Sequence, residues 1–552
     1  HFMVNSNVSD SKNISLNKCS QRSNLKHKVG IELIWLLIIS LSLLLLADGN
    51  PYYSEPARDS GFFMFTGREL LHGKELYTQI WDSKGPMIFF INAFGFWLGA
   101  GSRWGLWIIE LIMLIVGLRL LYLVLDHKWG HTVALFGITA GAFTLSTVFG
   151  KGNTIEEYSI FFSTISLFFY VMGLTKQDHR FADTMIGVSL AASFHLRANN
   201  IGIEAVIIAL IIIQAWKEKG FKAIWYRIAW LFLGVILVNI PIFLYFYIHG
   251  TLDEMLAASI LYNLSYAGMV DSSSFLSRII NGSFLPGISY FKGWSYVFGL
   301  GYAACIYYAI RGWRNHNVDP LVVLTFVLLP IEIVLSSISG RGYGHYFIVW
   351  IPAIILSYGL LFKFLEEFIL SKELFQSLKT NKKLYATAFI LILVLATNFE
   401  KIIISPAKVL YKFIRYPSQQ MEFVSRTAKY INENTTPEDK VLVIGGQCGL
   451  NLMSDRQSID GALFYPLIND SPIGLELQEE YFNNLKKQKP VLIVDGFANL
   501  SWHLPAVDPE NRSKQKFLST HSKNTDEVLD YIWNNYHLEY EIEGYSIYRI
   551  NP

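Results

Sequence analysis

The chain carries the segment RDSGFFMFTGRELLHGKELYTQIWDSKGP at residues 58–86, directly after its first hydrophobic stretch. The segment is polar, aromatic and rich in glycine, and it contains Asp59, Asp82 and Lys84. Charged residues at the mouth of a membrane span indicate contact with a charged molecule at the membrane surface, because such residues are costly near lipid unless they serve a function. A lipid phosphate lies at this level of a bilayer.

The composition is that of a membrane protein. Of the 552 residues, 52% are hydrophobic and 16% are charged, and the mean hydropathy is +0.33, whereas soluble domains have about 25% charged residues. Apolar runs recur through the first 400 positions, which predicts a polytopic α-helical membrane protein. The net charge of +2 gives no indication of nucleic-acid binding, and Cys19, Cys305 and Cys448 do not form a recognisable disulfide framework.

Eleven segments are predicted to cross the membrane, on the basis that a helix needs about 20 residues to span a bilayer core of about 30 Å. The predicted spans are residues 31–47, 104–125, 131–149, 155–174, 181–196, 200–216, 223–248, 293–311, 320–338, 346–366 and 384–400. The apolar stretch 86–100 has only 15 residues and opens with Pro86, and counting it would break the charge pattern of the loops. We therefore predict a helix at the outer surface there.

The positions of Lys and Arg predict the orientation, because cytoplasmic loops carry an excess of positive charge. The residues that follow this pattern are Lys26, Lys28, Lys128, Lys176, Arg180, Lys217, Lys219, Lys222, Arg311, Arg314, Lys379, Lys382 and Lys383. We predict a cytoplasmic N-terminal tail at 1–30, a membrane module at 31–400 with an outer segment at 48–103, and an extracytoplasmic domain at 401–552. The chain is expected in a bacterial cell membrane with its N-terminus inside.

The composition changes after residue 400 and predicts a small α/β domain. Helices are predicted at 418–434, 474–488 and 525–536, and strands at 441–444, 491–494, 538–542 and 545–550. The run Gly-Gly-Gln-Cys-Gly at 445–449 follows a strand but matches neither a Walker loop nor a dinucleotide loop. A tight turn is the favoured interpretation.

Asp59 is the first candidate for chemistry. Residues 60–72 have the pattern of an interfacial amphipathic helix that ends at Gly73. Two interpretations of Asp59 stay open. It caps this helix, or it is a general base that accepts the proton of an acceptor hydroxyl during nucleophilic attack.

Hydrogen-bond donors form a second group of candidates. Lys84 is either an interfacial side chain that extends toward water or an anchor that stabilises the charge on a lipid phosphate. The tip SGRGYGHY at 339–346 places Arg341, Tyr343 and His345 between two spans, with three glycines that allow close backbone approach. An interfacial aromatic belt is the alternative there, but so dense a donor cluster favours phosphate binding.

Two further positions carry charge near span ends. Glu156 and Glu157 stand at the entrance of the fourth span, where adjacent acids are costly unless they are solvated or paired. They form a solvated turn, or they bind an acceptor, a sugar hydroxyl or a metal ion. Arg197 lies where the short fifth and sixth spans meet, and it is either an anion ligand facing a pore or an ordinary loop residue.

Several motifs stand in a characteristic order. Asp59 follows the first span, the run GRELLHGKELY occupies residues 67–77, and Lys84-Gly85-Pro86 comes next. With the segment at 340–346, these motifs resemble the GT-C membrane glycosyltransferases, in the branch of aminoarabinose transferase, lipopolysaccharide galacturonosyl transferases and protein O-mannosyltransferases. The resemblance covers roughly residues 30–400.

Two departures from the family pattern concern the site. The usual Asp-Glu pair is Asp59-Ser60 here, which leaves the role of the second acid unfilled or moves it to Glu156 or Glu157. The middle Pro of a Lys-Pro-Pro element is Gly85, which loosens the assignment of its lysine.

The resemblance implies an inverting hexosyl- or pentosyltransferase whose donor is a sugar on a polyprenyl phosphate, such as undecaprenyl phosphate, and whose active site faces outward. It implies that Asp59 is the base and that Lys84 and Arg341 hold the phosphate. Tyr343, His345 and Arg197 are further candidates for phosphate binding. No metal is required, because cationic side chains can neutralise the phosphate, although a divalent ion is compatible with the scheme.

The acceptor is expected to be a cell-envelope glycopolymer, such as teichoic acid or a wall polysaccharide. This expectation rests on an Asn-, Lys- and Ile-rich composition typical of a low-GC bacterium and on the lack of a disulfide framework. A protein O-glycosyltransferase is the second interpretation. A lipid-linked saccharide flippase or transporter would need internal repeats and charges near mid-membrane, whereas the candidate residues gather at one surface. A non-catalytic assembly protein with an outer receptor domain also stays open.

Overall fold

The computed structural model describes most of the chain. It covers residues 31–264, 274–338, 340–368, 422–462, 472–496, 505–514 and 524–552, with isolated residues at 404, 407, 410–411, 414–415, 467 and 522. The predicted span at 384–400 lies outside these residues. The described chain is mainly helical, with a four-stranded sheet near its C-terminal end and a second sheet of two short strands.

Residues 31–368 form a helix bundle. In chain order its α-helices are α1 (Ile31–Leu45), α2 (Arg58–Leu71), α3 (Met87–Leu98), α4 (Arg103–Trp129), α5 (His131–Leu145), α6 (Ile155–Gly173), α7 (Arg180–Leu196), α8 (Gly202–Lys219), α9 (Phe221–His249), α10 (Leu252–Leu256), α11 (Phe275–Ile279), α12 (Leu285–Phe291), α13 (Trp294–Arg314), α14 (Pro320–Ser337) and α15 (Ile351–Phe368). Short turns of π-helix at Ala257–Leu261 and Ile280–Phe284 and of 3₁₀-helix at Ala47–Gly49 and Gly344–Trp350 complete it.

Helices lie at all of the predicted spans that the structure describes. Among the described residues, five segments are long and apolar enough to cross a membrane, namely α4, α6, α9, α14 and Gly344–Glu367. These helices confirm the helical membrane class, while the count of eleven spans stays a prediction. Local signals set several helix ends: Ser102 and Asp319 cap α4 and α14 with their side chains, and Thr154 and Glu157 form a reciprocal capping box at α6.

The helix α2 is buried in protein. Its residues from Ser60 to Glu69 are all buried, and Phe62 and Phe63 pack edge-to-face on Phe89 of α3, with ring centroids 6.3 and 5.9 Å away. The prediction of a helix here is confirmed, but the prediction of a helix lying along the membrane surface is wrong. The apolar face that indicated a lipid contact packs against other parts of the same chain.

The C-terminal region contains a mixed sheet with helices around it. The helices are α16 (Arg426–Glu433), α17 (Gly449–Ser454), α18 (Pro472–Gln488), α19 (Pro509–Lys514) and α20 (Thr525–Asn535). The strands among the described residues are β1 (Ile80–Trp81), β2 (Val441–Ile444), β3 (Gly461–Ala462), β4 (Leu492–Asp495), β5 (Tyr536–Ile542) and β6 (Tyr545–Ile550). The larger sheet has the order β2-β4-β6-β5, with β2 and β4 parallel and the other pairs antiparallel.

The predicted α/β character of this region is confirmed, with one error in a helix boundary. Within the predicted helix 418–434, residues 422–425 are not helical, and 418–421 lie outside the described residues. The helix α16 begins after Ser425, whose hydroxyl accepts the N–H of Ala428 at 3.2 Å. This side-chain cap sets the residue at which the helix begins.

The C-terminal domain packs directly on the outer segment. Gly61 of α2 faces Gly449 of α17, and a Cβ at Gly61 would lie 3.0 Å from the Gly449 backbone. Arg68 donates to Asp455 Oδ1 at 3.0 Å and to the Leu452 carbonyl at 3.3 Å. The strands β1 and β3 pair in parallel, although one belongs to the outer segment and the other to the C-terminal domain. The two regions therefore share a core.

Candidate functional site

Asp59 lies at the start of α2, where it does not act as the cap. The N-cap residue is Ala57, and no side chain caps this end, so the capping interpretation is wrong. The Asp59 Oδ1 atom accepts a hydrogen bond from Arg58 Nε at 3.1 Å. The Asp59 side chain is 50% exposed, so that a molecule from outside the protein can reach it.

The charges around Asp59 keep its carboxyl ionised. Burial of the surroundings acts to raise its pKa, but Arg58, Lys84 and His345 outweigh this effect and bring the pKa below the ordinary value. Lys84 of the outer segment and His345 of the segment 340–346 are therefore near enough to Asp59 to act on its charge. Two stretches that are far apart in sequence therefore meet at one end of the bundle.

The backbone around Lys84 is held on both sides. The Tyr77 hydroxyl donates to the Lys84 carbonyl at 2.7 Å, and Lys84 Nζ donates to Asp82 Oδ1 at 3.0 Å. A Cβ at Gly85 would lie only 2.0 Å from the His195 carbonyl oxygen. Gly85 stands where the Lys-Pro-Pro pattern has its middle proline. Because it has no side chain, the segment can pack against the end of α7, where a larger residue would collide.

The segment after α14 contributes a group of stacked rings. The rings of Tyr343 and His345 are parallel, with centroids 5.9 Å apart, and Tyr346 packs edge-on to His345 at 4.7 Å. Arg341 is exposed at the start of this group, where the neighbouring Gly342 approaches α12. The rings of Tyr343 and Tyr346 thus hold the His345 imidazole in place.

Arg197 connects this group to α6. Its guanidinium donates to Glu156 Oε1 at 2.6 Å and lies over the Tyr346 ring at 4.0 Å from the centroid. Burial acts to lower the pKa of Arg197, but Tyr346 and Glu156 outweigh it and raise the pKa above its ordinary value. The arginine is therefore a permanent cation that belongs to the same end of the bundle.

Glu157 lies away from Arg197 and the stacked rings. The sequence-based prediction gave Glu156 and Glu157 one common role, and the structure separates them. Its carboxylate closes the capping box of α6 and interacts with the buried Glu110 of α4. Adjacent residues on a helix point about 100° apart, so that one acid meets Arg197 and the other meets α4. Only Glu156 is placed where it can take part in the site.

A buried amide network beneath Asp59 was missed by the sequence-based prediction. Asn153 Nδ2 donates to Ser60 Oγ at 3.2 Å and to Asn92 Oδ1 at 3.0 Å, and the Tyr158 hydroxyl donates to Asn153 Oδ1 at 2.9 Å. Ser60, which replaces the second acid of the family pattern, is thus directed into the protein. An isolated Asn within the apolar α3 was the one available signal.

The site combines an exposed carboxylate with several cationic and hydroxyl donors. Such a group can accept a proton from a bound alcohol and bind an anion beside it. In the part of the chain that the structure describes, no three His, Cys, Asp or Glu side chains come together to hold a metal ion.

Known structures share this architecture. The crystal structure of ArnT from Cupriavidus metallidurans bound to undecaprenyl phosphate matches with a TM-score of 0.59 at 12% identity, covering 94% of this chain and 98% of that chain. The apo state of the same protein gives 0.56 at 12% identity, covering 95% and 98%. ArnT is an aminoarabinose transferase of the GT-C superfamily. This chain therefore shares the fold of ArnT, and its long apolar helices are those of a multi-pass membrane protein.

The family can be stated more narrowly. The family model described as "Putative competence-induced protein Ccs4 N-terminal domain" matches residues 17–413, so the chain belongs to this family. The match ends before the C-terminal sheet begins at Val441. No curated protein matches the chain.

Proposed function

We propose that this protein is a membrane glycosyltransferase that moves one sugar from a polyprenyl phosphate to an acceptor hydroxyl. The observation that carries the proposal is the environment of Asp59, a half-exposed carboxylate beside Lys84 and His345 at one end of a GT-C bundle. Sugar transfer from a phosphate needs a base next to an anion-binding group, and this end of the bundle supplies both.

In the proposed reaction, the acceptor oxygen attacks the anomeric carbon of the donor sugar. The bond between that carbon and the phosphate oxygen breaks, and its electron pair stays on the departing polyprenyl phosphate. The acceptor proton passes to the Asp59 carboxylate. One displacement at the anomeric carbon inverts its configuration.

The remaining charged groups divide the work of binding the phosphate. Lys84, Arg341 and His345 donate to its oxygens and stabilise the charge that grows on it, and Tyr343 orients His345 by stacking. Arg197 adds a fixed positive charge, and Glu156 holds it in place through their 2.6 Å contact. A phosphate within hydrogen-bond reach of these groups would compete with Asp82 for Lys84.

The carrier and the acceptor follow from different arguments. The ArnT structure holds undecaprenyl phosphate, which supports a carrier of the same kind here. The acceptor proposed from composition is teichoic acid or a wall polysaccharide on the extracytoplasmic face. In this scheme residues 1–30 are cytoplasmic, 31–400 form the catalytic membrane module and 401–552 lie outside the cell.

The proposed function can be tested in cells. Deletion of the gene should remove one sugar from an envelope glycopolymer and leave the corresponding lipid-linked sugar to accumulate. Mass analysis of both fractions measures the two changes together. An unchanged envelope with unchanged lipid-linked sugars would contradict the proposal.

Substitution of Lys84 should weaken binding of the lipid phosphate. In Lys84→Met, undecaprenyl phosphate should bind about 10- to 100-fold more weakly, since a hydrogen bond to a charged group contributes about 1.5–3 kcal/mol, while undecaprenol should bind as before. Equilibrium binding of both lipids to purified protein measures the difference. Lys74→Met is the matched control, because it also breaks an ion pair of the outer segment, with Asp460 at 2.6 Å, and should leave the preference intact.

The pH dependence of transfer should reflect the lowered pKa of Asp59. Since the base works when ionised, transfer should persist as the pH falls to about 4, the ordinary Asp value, and be lost only below it. Removal of the Lys84 charge raises the Asp59 pKa, so the acid limb of the Lys84→Met profile should lie at higher pH. Identical acid limbs in rate–pH profiles of the two proteins would argue against Asp59 as the base.

A further inference from the structure

Two acids lie in the interior of the helix bundle, on helices that do not carry Asp59. Glu204 is the third residue of α8, and Glu332 lies in α14; both are buried, with 0% and 2% exposure. Within the described chain, neither side chain forms an ion pair with Lys, Arg or His. Buried acids inside a membrane bundle are costly unless a partner compensates their charge.

Glu332 lies against the N-terminus of α8. Its carboxylate accepts the backbone N–H of Ile203, at the N-terminus of the 18-residue helix α8, where the helix dipole stabilises negative charge. A Cβ at Gly202 would lie 2.2 Å from Glu332 Oε1. The carboxylate reaches this position only because residue 202 has no side chain.

Glu204 and Glu332 lie near enough to interact electrostatically, and hydroxyl groups lie beside Glu204. Ser166 Oγ donates to Glu204 Oε1 at 3.4 Å, and the buried hydroxyl of Ser193 lies beside the same carboxylate. The Oε2 atoms of Glu204 and Glu332 and the Oγ of Ser193 have no hydrogen-bond partner of good geometry among the described residues. The Ser193 side chain is 0% exposed, so bulk water does not satisfy it.

We infer that Glu204, Glu332 and Ser193 form a binding site for one divalent hard cation inside the bundle. Carboxylate and hydroxyl oxygens are the ligands that Ca²⁺ and Mg²⁺ take in proteins. Two carboxylates and one divalent ion leave no net charge in a low-dielectric interior, which removes the cost of burying the acids. The site is separate from Asp59 and Lys84, so it stands whether or not the protein transfers sugar.

The binding of a cation should stabilise the folded protein. After treatment with a chelator, purified full-length protein in detergent is heated with CaCl₂ or MgCl₂, or with choline chloride at the same ionic strength. One of the two divalent ions should raise the thermal midpoint saturably, by about 2 °C at a hundredfold excess over its Kd. No rise with either ion would overturn the inference.

Variants show whether the response comes from this site. Glu332→Gln and Gly202→Ala should abolish it, and Ser193→Ala should weaken the apparent affinity about tenfold. Glu332→Gln should also match or exceed the stripped wild-type protein in midpoint, because it removes a buried acid that has no ionic partner among the described residues. Should Glu332→Gln fail to fold, the Ser193→Ala titration decides.

Two other acids serve as controls. Asp59→Asn and Glu110→Gln should keep the full response, since they remove carboxylates from other parts of the chain. A response that survives Glu332→Gln or Gly202→Ala, or one that disappears in Asp59→Asn, would contradict the assignment to this site.

Discussion

Replacing Asp59 by Asn should reduce sugar transfer by about 10²- to 10⁴-fold, the range that a general base contributes. The amide has the same shape but cannot accept the acceptor's proton. Because the Asp59 side chain is 50% exposed and caps no helix, the substitution should leave the fold intact. The measurement is the sugar content of envelope polymers in a strain whose only copy of the gene carries the substitution.

Two companion measurements separate chemistry from structure. The Asp59→Asn protein should keep its thermal midpoint and should still bind undecaprenyl phosphate, because Lys84 and His345 remain. Asp455→Asn is a suitable control. Asp455 is a largely exposed acid, and it contacts Arg68 of α2, the helix that carries Asp59. Undiminished transfer by Asp59→Asn would remove this residue as the base, and transfer lost together with lipid binding would indicate a structural defect.

The second large effect is expected on stability, at Arg103 of α4. Its guanidinium donates to Glu422 Oε2 at 2.7 Å, to the Ser54 and Pro51 carbonyls at 2.9 and 3.0 Å, and to the Phe423 carbonyl at 3.0 Å. One buried side chain thus joins the outer segment, the bundle and the entry to the C-terminal domain. Arg103→Met should destabilise the protein by about 3–5 kcal/mol, as expected when one partner of a buried ion pair is removed.

Loss of these contacts should also loosen the C-terminal domain. Limited proteolysis of Arg103→Met should cut the chain before Arg426 at protease concentrations that leave wild type intact, and the thermal midpoint should fall. Arg426→Met provides the comparison, because Arg426 makes an ion pair with Glu543 while its side chain is 76% exposed; exposed pairs contribute little. Equal midpoints for Arg103→Met and Arg426→Met would show that the buried contacts do not hold the domain.

Helix and strand positions could be predicted from the sequence because they depend on local patterns. Hydrophobic runs with charged ends located the helices, short apolar runs located the strands β2 and β4, and two strand-like runs located β5 and β6. Asp59 and Lys84 could be selected because charge is rare at a membrane span. Their proximity to His345 was expected only from the family resemblance. The spacing of these residues in the sequence does not predict it.

Long-range packing could not be predicted from the same patterns. An apolar face of α2 indicates burial but not its partner, so a lipid surface was predicted where the C-terminal domain lies. The different surroundings of Glu156 and Glu157 depend on which helices flank α6. The strand β1 has only two residues, which is too short to show a strand pattern in the sequence. These features depend on contacts between residues hundreds of positions apart.

The packing of α17 against α2 has a consequence for biosynthesis. Arg68 of α2 contacts Leu452 of α17, and the two residues are separated by 384 positions in the sequence. At a synthesis rate of about 5–20 residues per second, the ribosome supplies the second partner about 20 to 80 seconds after the first. The end of the bundle that carries Asp59 therefore cannot reach its final geometry until translation is nearly complete, and a nascent or prematurely terminated chain would lack the contacts that complete the proposed site.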